Sequence, residues 1–282
     1  MPPLLRLIRV GNVAVSLVGT LVGGLVAAGV GFRIAPGLLI PLALAAVSTA
    51  SVTAGGNVLN DLLDLRSDRV NHPDRPLVTG EVTVGAARAL AVGLFVLAVA
   101  AVLPQLGSRP LVGVILLAAL AALFSYEFRF KAVGFAGNLL VAFLTGAVFL
   151  YGAASVGNLV PLLPFALMAF CATLSREVIK DMEDAAGDVD RRTLPRTRGM
   201  GYSTSVARGA AVTGLVLSAV PLLYLVAIES IVGIMYLASV LVADALFVLS
   251  IRTLPEELHR EQTMSKLAMT VALVAFMVAA FR

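Results

Sequence analysis

The sequence predicts an all-α protein, a multi-pass transmembrane helix bundle with nine transmembrane helices. Hydrophobic residues make up 59% of the 282 residues and charged residues only 13%, with a mean hydropathy of +0.97. Soluble domains use roughly 25% charged residues to cover their surface. Most of the outer surface of this chain must therefore face lipid. Apolar runs of spanning length recur nine times, and basic residues concentrate in the short connections between them.

The nine runs follow one another with short polar connections. The first is longer than the 7–15-residue core of a signal peptide and ends without a small-residue cleavage site, so we interpret it as a retained helix. Glu229 separates the seventh run from the eighth, and the ninth is short. The predicted spans are residues 10–31, 38–58, 83–104, 110–126, 133–153, 159–180, 207–227, 229–251 and 267–281.

The distribution of Lys and Arg predicts the orientation of the bundle. With the N-terminus in the cytoplasm, nine spans place the C-terminus outside. Arg33, Arg109 and Arg282 are then the only basic residues outside, and the other 18 of 21 lie on the cytoplasmic side, as the positive-inside rule requires. We therefore expect one transmembrane domain, residues 1–282, in the cell membrane. Because the basic residues follow topology, we expect no nucleic-acid partner, and no obligate protein partner is implied.

Two cytoplasmic connections carry the same polar pattern. Both place polar side chains at positions i, i+4, i+7 and i+11, and the two sets are offset by 120 residues. On a helix these positions fall on one face. We define the first acidic segment as residues 57–68 and the second as residues 177–188. Their polar positions are Asn57, Asp61, Asp64 and Asp68 in the first, and Glu177, Asp181, Asp184 and Asp188 in the second.

Seven carboxylates on two helix ends require a cation, because like charges repel and ions near lipid are costly to bury. Mg²⁺ prefers hard oxygen ligands and is usually held by a few carboxylates together with substrate phosphates. Two acidic segments that face each other would hold one ion each and bind a diphosphate between them. The alternative is a set of solvated charges with local salt bridges, such as Asp64 with Arg69 and Lys180 with Asp184.

Basic residues surround both acidic segments and could donate to a diphosphate. Arg side chains present a planar fork that suits phosphate oxygens. Lys131, Lys180 and Arg75 are the strongest candidates, although the positive-inside rule alone accounts for many of the others. The surrounding set is Arg66, Arg69, Arg75, Arg129, Lys131, Arg176, Lys180, Arg191 and Arg192.

The motifs around these residues resemble the UbiA superfamily of intramembrane prenyltransferases. The first is Asn60-Asp61-x-x-Asp64-x-x-x-Asp68, followed by Asn71-x-Pro73-x-Arg75-Pro76-x-x-x-Gly80. The second is Ser175-Arg176-Glu177-x-x-Lys180-Asp181-x-Glu183-Asp184-x-x-Gly187-Asp188. Leu144-Thr145-Gly146 and the pair Arg9 and Asn12 are most similar to the archaeal digeranylgeranylglyceryl phosphate synthases of that superfamily. Val10, where that group often has Pro, and Arg191-Arg192 depart from the pattern.

The resemblance implies roles for individual residues. Two Mg²⁺ ions are expected, one at Asn57, Asp61 and Asp68, the other at Asp181 and Asp188 with Glu177 or Asp184. All six Asp residues of the two segments are expected to act in catalysis. The implied substrate-binding residues are Arg9, Asn12, Arg66, Arg75, Tyr126, Lys131, Arg176 and Lys180.

The implied activity is Mg²⁺-dependent transfer of a prenyl group from a prenyl diphosphate, with geranylgeranyl diphosphate as the expected donor. The expected acceptor is geranylgeranylglyceryl phosphate, a lipid, as in archaeal ether-lipid biosynthesis, and the active site would face the cytoplasm. One alternative is an aromatic prenyltransferase that uses 4-hydroxybenzoate or a naphthoate. A second is a divalent cation transporter, and for that reading Asp244 is the clear acid within the membrane.

Overall fold

The computed structural model describes residues 1–29, 35–131, 133–185, 192–224 and 230–281, and within these ranges it contains helices and turns but no β-strand. Short 3₁₀ turns at Leu103–Gln105 and Val160–Leu162 and a π-helical turn at Tyr126–Phe130 adjoin longer helices. The α-helices are α1 Pro3–Leu7, α2 Val10–Ala28, α3 Pro36–Leu63, α4 Leu65–Asn71, α5 Val84–Val102, α6 Pro110–Ser125, α7 Gly134–Val156, α8 Leu163–Asp184, α9 Leu194–Arg198, α10 Met200–Ser218, α11 Val220–Tyr224, α12 Ile231–Arg252 and α13 Leu258–Ala279.

Nine helical segments in the described part of the chain are long and apolar enough to cross a membrane, which confirms the predicted fold class. The chain is a multi-pass membrane protein. Each predicted run corresponds to one segment, but several boundaries move. The segments are Val10–Ala28, Pro36–Leu63, Val84–Gln105, Pro110–Phe130, Gly134–Val156, Val160–Asp184, Met200–Leu223, Ile231–Arg252 and Leu258–Ala279.

The ninth span differs most from its prediction, since α13 begins at Leu258 rather than at residue 267. Its first turns carry charges that suggest a loop when hydropathy alone is considered. In the structure these charges have protein partners: Glu261 is 1% exposed and accepts a hydrogen bond from Thr253, while His259 lies 2.8 Å from Glu183 of α8. The prediction of a short last helix was wrong because charged residues paired within the protein can continue a helix.

The sixth span, α8 with its preceding turn, is the centre of the bundle. In its most apolar stretch 78% of the residues are buried, whereas the corresponding share in the other spans is 17–50%. It packs against α7, α10 and α13. Deep in the bundle Phe165 of α8 meets Phe276 of α13 edge-to-face, with ring centroids 4.7 Å apart, and also contacts Tyr236 of α12. Packing of these rings joins α8 to α12 and α13.

Helices α2 and α7 approach each other closely because glycines face one another. A side chain at Gly152 would overlap the backbone carbonyl of Thr20, and one at Gly23 would overlap the carbonyl of Phe149. Without a hydrophobic driving force between helices in lipid, small residues of this kind allow the van der Waals contact that stabilises helix pairs. The pair α2–α7 therefore forms a fixed wall beside the candidate site.

Candidate active site

The first acidic segment is not one continuous helix, contrary to the prediction. Helix α3 ends at Leu63 and α4 begins at Leu65, with Asp64 between them at φ −86° and ψ 2°. The break changes the direction of the middle carboxylate. Asp61 and Asp68 remain together, whereas Asp64 pairs with a different part of the protein.

Asp61 and Asp68 are buried and share a cationic partner. They are 2% and 4% exposed, and Nη1 of Arg75 donates to Asp61 Oδ1 at 3.1 Å and to Asp68 Oδ2 at 2.5 Å. Arg9 Nη2 donates to the same Asp61 oxygen at 2.6 Å. Two buried carboxylates would be strongly unfavourable without such partners, so the segment folds around guanidinium groups supplied from elsewhere in the chain.

Arg9 reaches this position through an unusual backbone conformation. It precedes α2 with φ 52° and ψ 65°. Among the residues that the structure describes, Arg9 alone has a positive φ without being glycine. Such a conformation costs of order 1–3 kcal/mol and is often found at functional sites. Its guanidinium also donates to Asn60 Oδ1 at 3.0 Å, and Asn57 Nδ2 donates to the Ile8 carbonyl at 2.8 Å. The N-terminal segment is thereby held against the end of α3.

The π-helical turn after α6 supplies a second set of partners. Lys131 Nζ donates to Asp64 Oδ2 at 2.5 Å and to Glu127 Oε2 at 3.3 Å. Asn60 Nδ2 donates to the two Glu127 oxygens at 3.0 and 3.2 Å. Gly137 of α7 makes room for this turn, since a Cβ there would lie 2.8 Å from the Phe130 carbonyl oxygen. The turn is thus locked between α3 and α7.

The second acidic segment lies at the C-terminal end of α8. Glu177 Oε1 accepts a hydrogen bond from Arg176 at 2.6 Å, and its Oε2 lies 3.8 Å from Lys180 Nζ. Asp181 Oδ2 accepts a hydrogen bond from Asn138 of α7 at 2.9 Å. Helix α8 ends at Asp184. Asp188, predicted as a metal ligand, and Arg191 lie outside the described residues.

Both acidic segments open into one cavity of about 700 Å³. Asn57 and Asn60 reach it from the first segment, Glu177 reaches it from the second, and Arg176 lies directly before the second. The described Asp residues of the two segments are not among its lining residues. The remaining wall is mainly apolar side chains of α6, α7, α8 and α13, so one end of the cavity is charged and its body is lipid-like. Four further polar residues at the charged end are Arg9, Asn12, Tyr126 and Glu127.

Asp244 lies in the membrane-spanning part of α12, as its sequence position predicted. Its side chain lines the cavity, and its Oδ2 accepts a hydrogen bond from Ser218 of α10 at 2.7 Å. Asp244 therefore both lines the cavity and bonds a neighbouring helix. The hydrogen bond joins α10 to α12 beside an otherwise apolar wall.

Most of the predicted site residues come together, but not all of them. Arg66 is exposed on α4 and forms no ion pair within the described ranges. Lys180 is 40% exposed at the edge of the site. Glu127 and Asn138 were not predicted as site residues. Glu127 accepts hydrogen bonds from Asn60 and Lys131, and Asn138 donates one to Asp181. The sequence signal for Glu127 was its position directly after the apolar run of α6. The signal for Asn138 was a polar residue near the start of α7.

The donor set fits Mg²⁺. No group of three or more His, Cys, Asp or Glu side chains placed to hold a metal occurs among the described residues, but Mg²⁺ is typically held by one or two carboxylates together with substrate phosphates. Asp61 and Asp68 supply two carboxylates that a single cationic group already joins. Asn57 lies one helical turn before Asp61 and carries a further oxygen.

The fold and the site define a class of membrane protein. A cavity inside the helix bundle has mainly apolar walls, and acidic and basic side chains line one end of it. Comparison with known proteins places the chain more narrowly. Residues 16–280 match the model of the UbiA prenyltransferase family, and the chain belongs to that family. The resemblance found in the two acidic motifs is thereby confirmed.

Relatives of similar length agree with this assignment. The chain is 35% identical to digeranylgeranylglyceryl phosphate synthase of Methanopyrus kandleri, over 97% of each chain. It is 40% identical to the synthase of Natronomonas pharaonis, over 78% of this chain and 77% of that one. Both acidic segments fall within the range of the family model.

Solved structures share the fold. A structure of digeranylgeranylglyceryl phosphate synthase superimposes with a TM-score of 0.82 at 29% identity, covering 99% of this chain and 98% of that one. A UbiA homologue from Archaeoglobus fulgidus, bound to GPP and Mg²⁺, superimposes with a TM-score of 0.68 at 22% identity, covering 97% and 99%. At that identity the second likeness shows the shared fold only.

Proposed function

We propose that this protein transfers a geranylgeranyl group from geranylgeranyl diphosphate to geranylgeranylglyceryl phosphate and releases diphosphate, a step of archaeal ether-lipid biosynthesis. The named relatives support the acceptor, since those that match most of the chain are digeranylgeranylglyceryl phosphate synthases. The family supports the donor class, since its model is that of prenyltransferases, and the buried carboxylates of Asp61 and Asp68 support the metal.

The observation that carries this proposal is the shared cavity. Polar side chains of both acidic segments lie at its charged end, and its body is apolar. A prenyl diphosphate has the same division, with a charged head and a hydrocarbon tail. The head would bind at the acidic and basic side chains and the tail would extend into the bundle, where lipid-like walls favour its burial.

The metal ligands are proposed as in the sequence prediction. Asn57, Asp61 and Asp68 would hold one magnesium ion. A second would be held by Glu177, Asp181 and Asp188, with Asp184 beside them. When bound, Mg²⁺ supplies positive charge that stabilises the departing diphosphate.

The chain's own cations would complete the diphosphate site. Arg75 and Lys131 are paired with carboxylates of the first segment, and Lys180 lies 3.8 Å from Glu177 of the second. All three would donate to phosphate oxygens once these are present, as charge-assisted hydrogen bonds. Arg75 would leave Asp61 and Asp68 when Mg²⁺ binds these carboxylates, and its guanidinium would then donate to the diphosphate. The full proposed substrate-binding set is Arg9, Asn12, Arg66, Arg75, Tyr126, Lys131, Arg176 and Lys180.

The apolar walls would protect the reaction. Loss of the allylic diphosphate leaves a carbon that water would attack, and a cavity lined by Leu144, Val148 and Phe276 excludes bulk water. The glycerol hydroxyl of the acceptor then attacks that carbon in place of water.

The orientation remains part of the proposal. We propose that residues 1–282 form one transmembrane domain with its active site facing the cytoplasm, its N-terminus inside and its C-terminus outside. The positive-inside bias supports this assignment. The contacts Arg9–Asp61, Lys131–Asp64 and His259–Glu183 join helix ends at one end of the bundle, and this is the end that the bias assigns to the cytoplasm.

An acceptor panel tests the proposed function. Purified protein in detergent or nanodiscs is incubated with labelled geranylgeranyl diphosphate and Mg²⁺, and with geranylgeranylglyceryl phosphate, 4-hydroxybenzoate or a naphthoate. We expect an ether product from the glyceryl phosphate only, and none when EDTA removes the metal. Prenylation of an aromatic acceptor, with no ether product, would establish the aromatic alternative. Metal uptake by proteoliposomes without prenyl substrate, and no transfer at all, would establish a transporter.

A further inference from the structure

Ether formation requires a proton acceptor, and the roles given above do not say which group it is. When the hydroxyl oxygen of the acceptor bonds to the prenyl carbon, the hydroxyl proton must leave. In a cavity with apolar walls, bulk water is not at hand to take it, so a basic group has to be positioned at the wall. In the described part of the chain, three carboxylates line the cavity: Glu127, Glu177 and Asp244.

Two of these carboxylates are poorly placed for the task. Glu177 is one of the proposed ligands of the second magnesium ion, and it is also paired with Arg176 at 2.6 Å. Asp244 lies in the middle of α12, where it bonds Ser218 near the outer end of α10. A group at that depth is remote from the basic residues that would bind the diphosphate head.

Glu127 is not among the proposed metal ligands, and it lies beside the first acidic segment. Its side chain is 4% exposed, it lies in the π-helical turn, and it lines the charged end of the cavity. Asn60 donates to both of its oxygens, and Lys131 donates to Oε2 at 3.3 Å. Irregular helical turns of this kind are frequent at functional sites. The carboxylate is therefore held in place by neutral and cationic donors, beside the groups proposed to bind the diphosphate.

We propose that Glu127 is the base that accepts the proton of the attacking hydroxyl, an inference that rests on the proposed function. The bond between the prenyl C1 and the diphosphate oxygen breaks, and its electron pair leaves with the diphosphate. A lone pair of the acceptor hydroxyl forms the new C–O bond, and the proton of that hydroxyl passes to the Glu127 carboxylate. The proton then leaves with the released diphosphate, which restores the carboxylate.

Substitution at Glu127 separates this role from a purely structural one. Glu127→Gln keeps an oxygen that accepts from Asn60 or Lys131 but cannot serve as the base, and Glu127→Asp keeps a carboxylate on a shorter side chain. Glu256→Gln is the matched control, because Glu256 is exposed in the turn between α12 and α13. Each variant is assayed for kcat and KM with geranylgeranylglyceryl phosphate. Binding of unreactive geranylgeranyl thiodiphosphate with Mg²⁺ is measured separately.

We expect Glu127→Gln to lower kcat by at least about 10²-fold while the Kd for the thio analogue stays within about threefold of wild type. Glu127→Asp should have a higher kcat than the Gln variant, and Glu256→Gln should match wild type. A kcat for Glu127→Gln within about threefold of wild type overturns the proposal. Parallel loss of analogue binding and turnover assigns Glu127 a structural role and also overturns it. Failure of the wild-type protein to form any ether overturns the proposed function itself.

Discussion

Asp61 and Asp68, seven residues apart and on either side of a helix break, accept hydrogen bonds from the same nitrogen, Nη1 of Arg75. Both carboxylates are buried, so each depends on a cation for its stability. Arg75 therefore occupies the position in which a divalent ion would also be favoured. The same two carboxylates form the ion pairs with Arg75 and are the proposed ligands of the metal ion.

Replacement of Arg75 should make the protein depend on metal for its stability. In Arg75→Gln the two buried carboxylates lose their shared partner, and we expect the melting temperature of the metal-free variant to fall by several degrees. Mg²⁺ should then raise the melting temperature of the variant more than that of wild type, since the ion no longer competes with a guanidinium. Thermal unfolding of purified protein with EDTA or Mg²⁺ measures both effects.

Arg69→Gln is the control for this measurement, because Arg69 is exposed on α4 and lies in the same connection. It should unfold like wild type with or without Mg²⁺. An equal response of Arg75→Gln and wild type to Mg²⁺ would show that the ion does not bind where Arg75 joins the two carboxylates.

The contact between α2 and α7 predicts a sharp difference between two glycines. A methyl group at Gly152 would overlap the Thr20 carbonyl, whereas one at Gly93 of α5 meets no atom within 4 Å. Gly152→Ala should therefore destabilise the protein by about 1–3 kcal/mol through overpacking. Gly93→Ala should be neutral or stabilise it by up to about 1 kcal/mol. Comparable thermal stabilities for the two variants would contradict the close packing of α2 on α7.

Asp244 is predicted to act through Ser218 in the stability of the bundle. Ser218→Ala removes the hydrogen bond to Asp244, and interhelical hydrogen bonds in membranes contribute roughly 0.6–2 kcal/mol. Asp244→Asn retains an oxygen that can accept from Ser218, so it should destabilise the protein less. Thermal inactivation of the two variants decides this. A greater loss of thermal stability in Asp244→Asn than in Ser218→Ala would mean that the ionisable carboxyl group of Asp244, rather than its hydrogen bond to Ser218, stabilises the bundle.

The spans and the acidic repeat could be predicted from the sequence because both are local patterns. Runs of about 20 apolar residues identify a membrane helix without any tertiary information. The 120-residue offset between the two acidic segments likewise needs only the positions of the polar residues. Family motifs then supplied the roles of residues such as Asp61 and Asp181.

The partners of these residues could not be predicted, because they come from distant parts of the chain. Asp64 and Arg69 are close in sequence, yet Asp64 pairs with Lys131, 67 positions away. Asn138 reaches Asp181 from another helix. Such pairs depend on how the helices pack, which neither hydropathy nor spacing specifies. Glu127 was missed for the same reason, since only its contacts reveal its position.

We propose that both acidic segments act together on one magnesium-bound prenyl diphosphate. It is tested most directly by the rate of ether formation from labelled geranylgeranyl diphosphate and geranylgeranylglyceryl phosphate in Asp61→Asn and Asp181→Asn, one change in each segment, with Glu256→Gln as the control. Each Asn variant should lose at least about 10²-fold in turnover at any Mg²⁺ concentration, while the control keeps wild-type activity. Wild-type turnover in either Asn variant would contradict the claim.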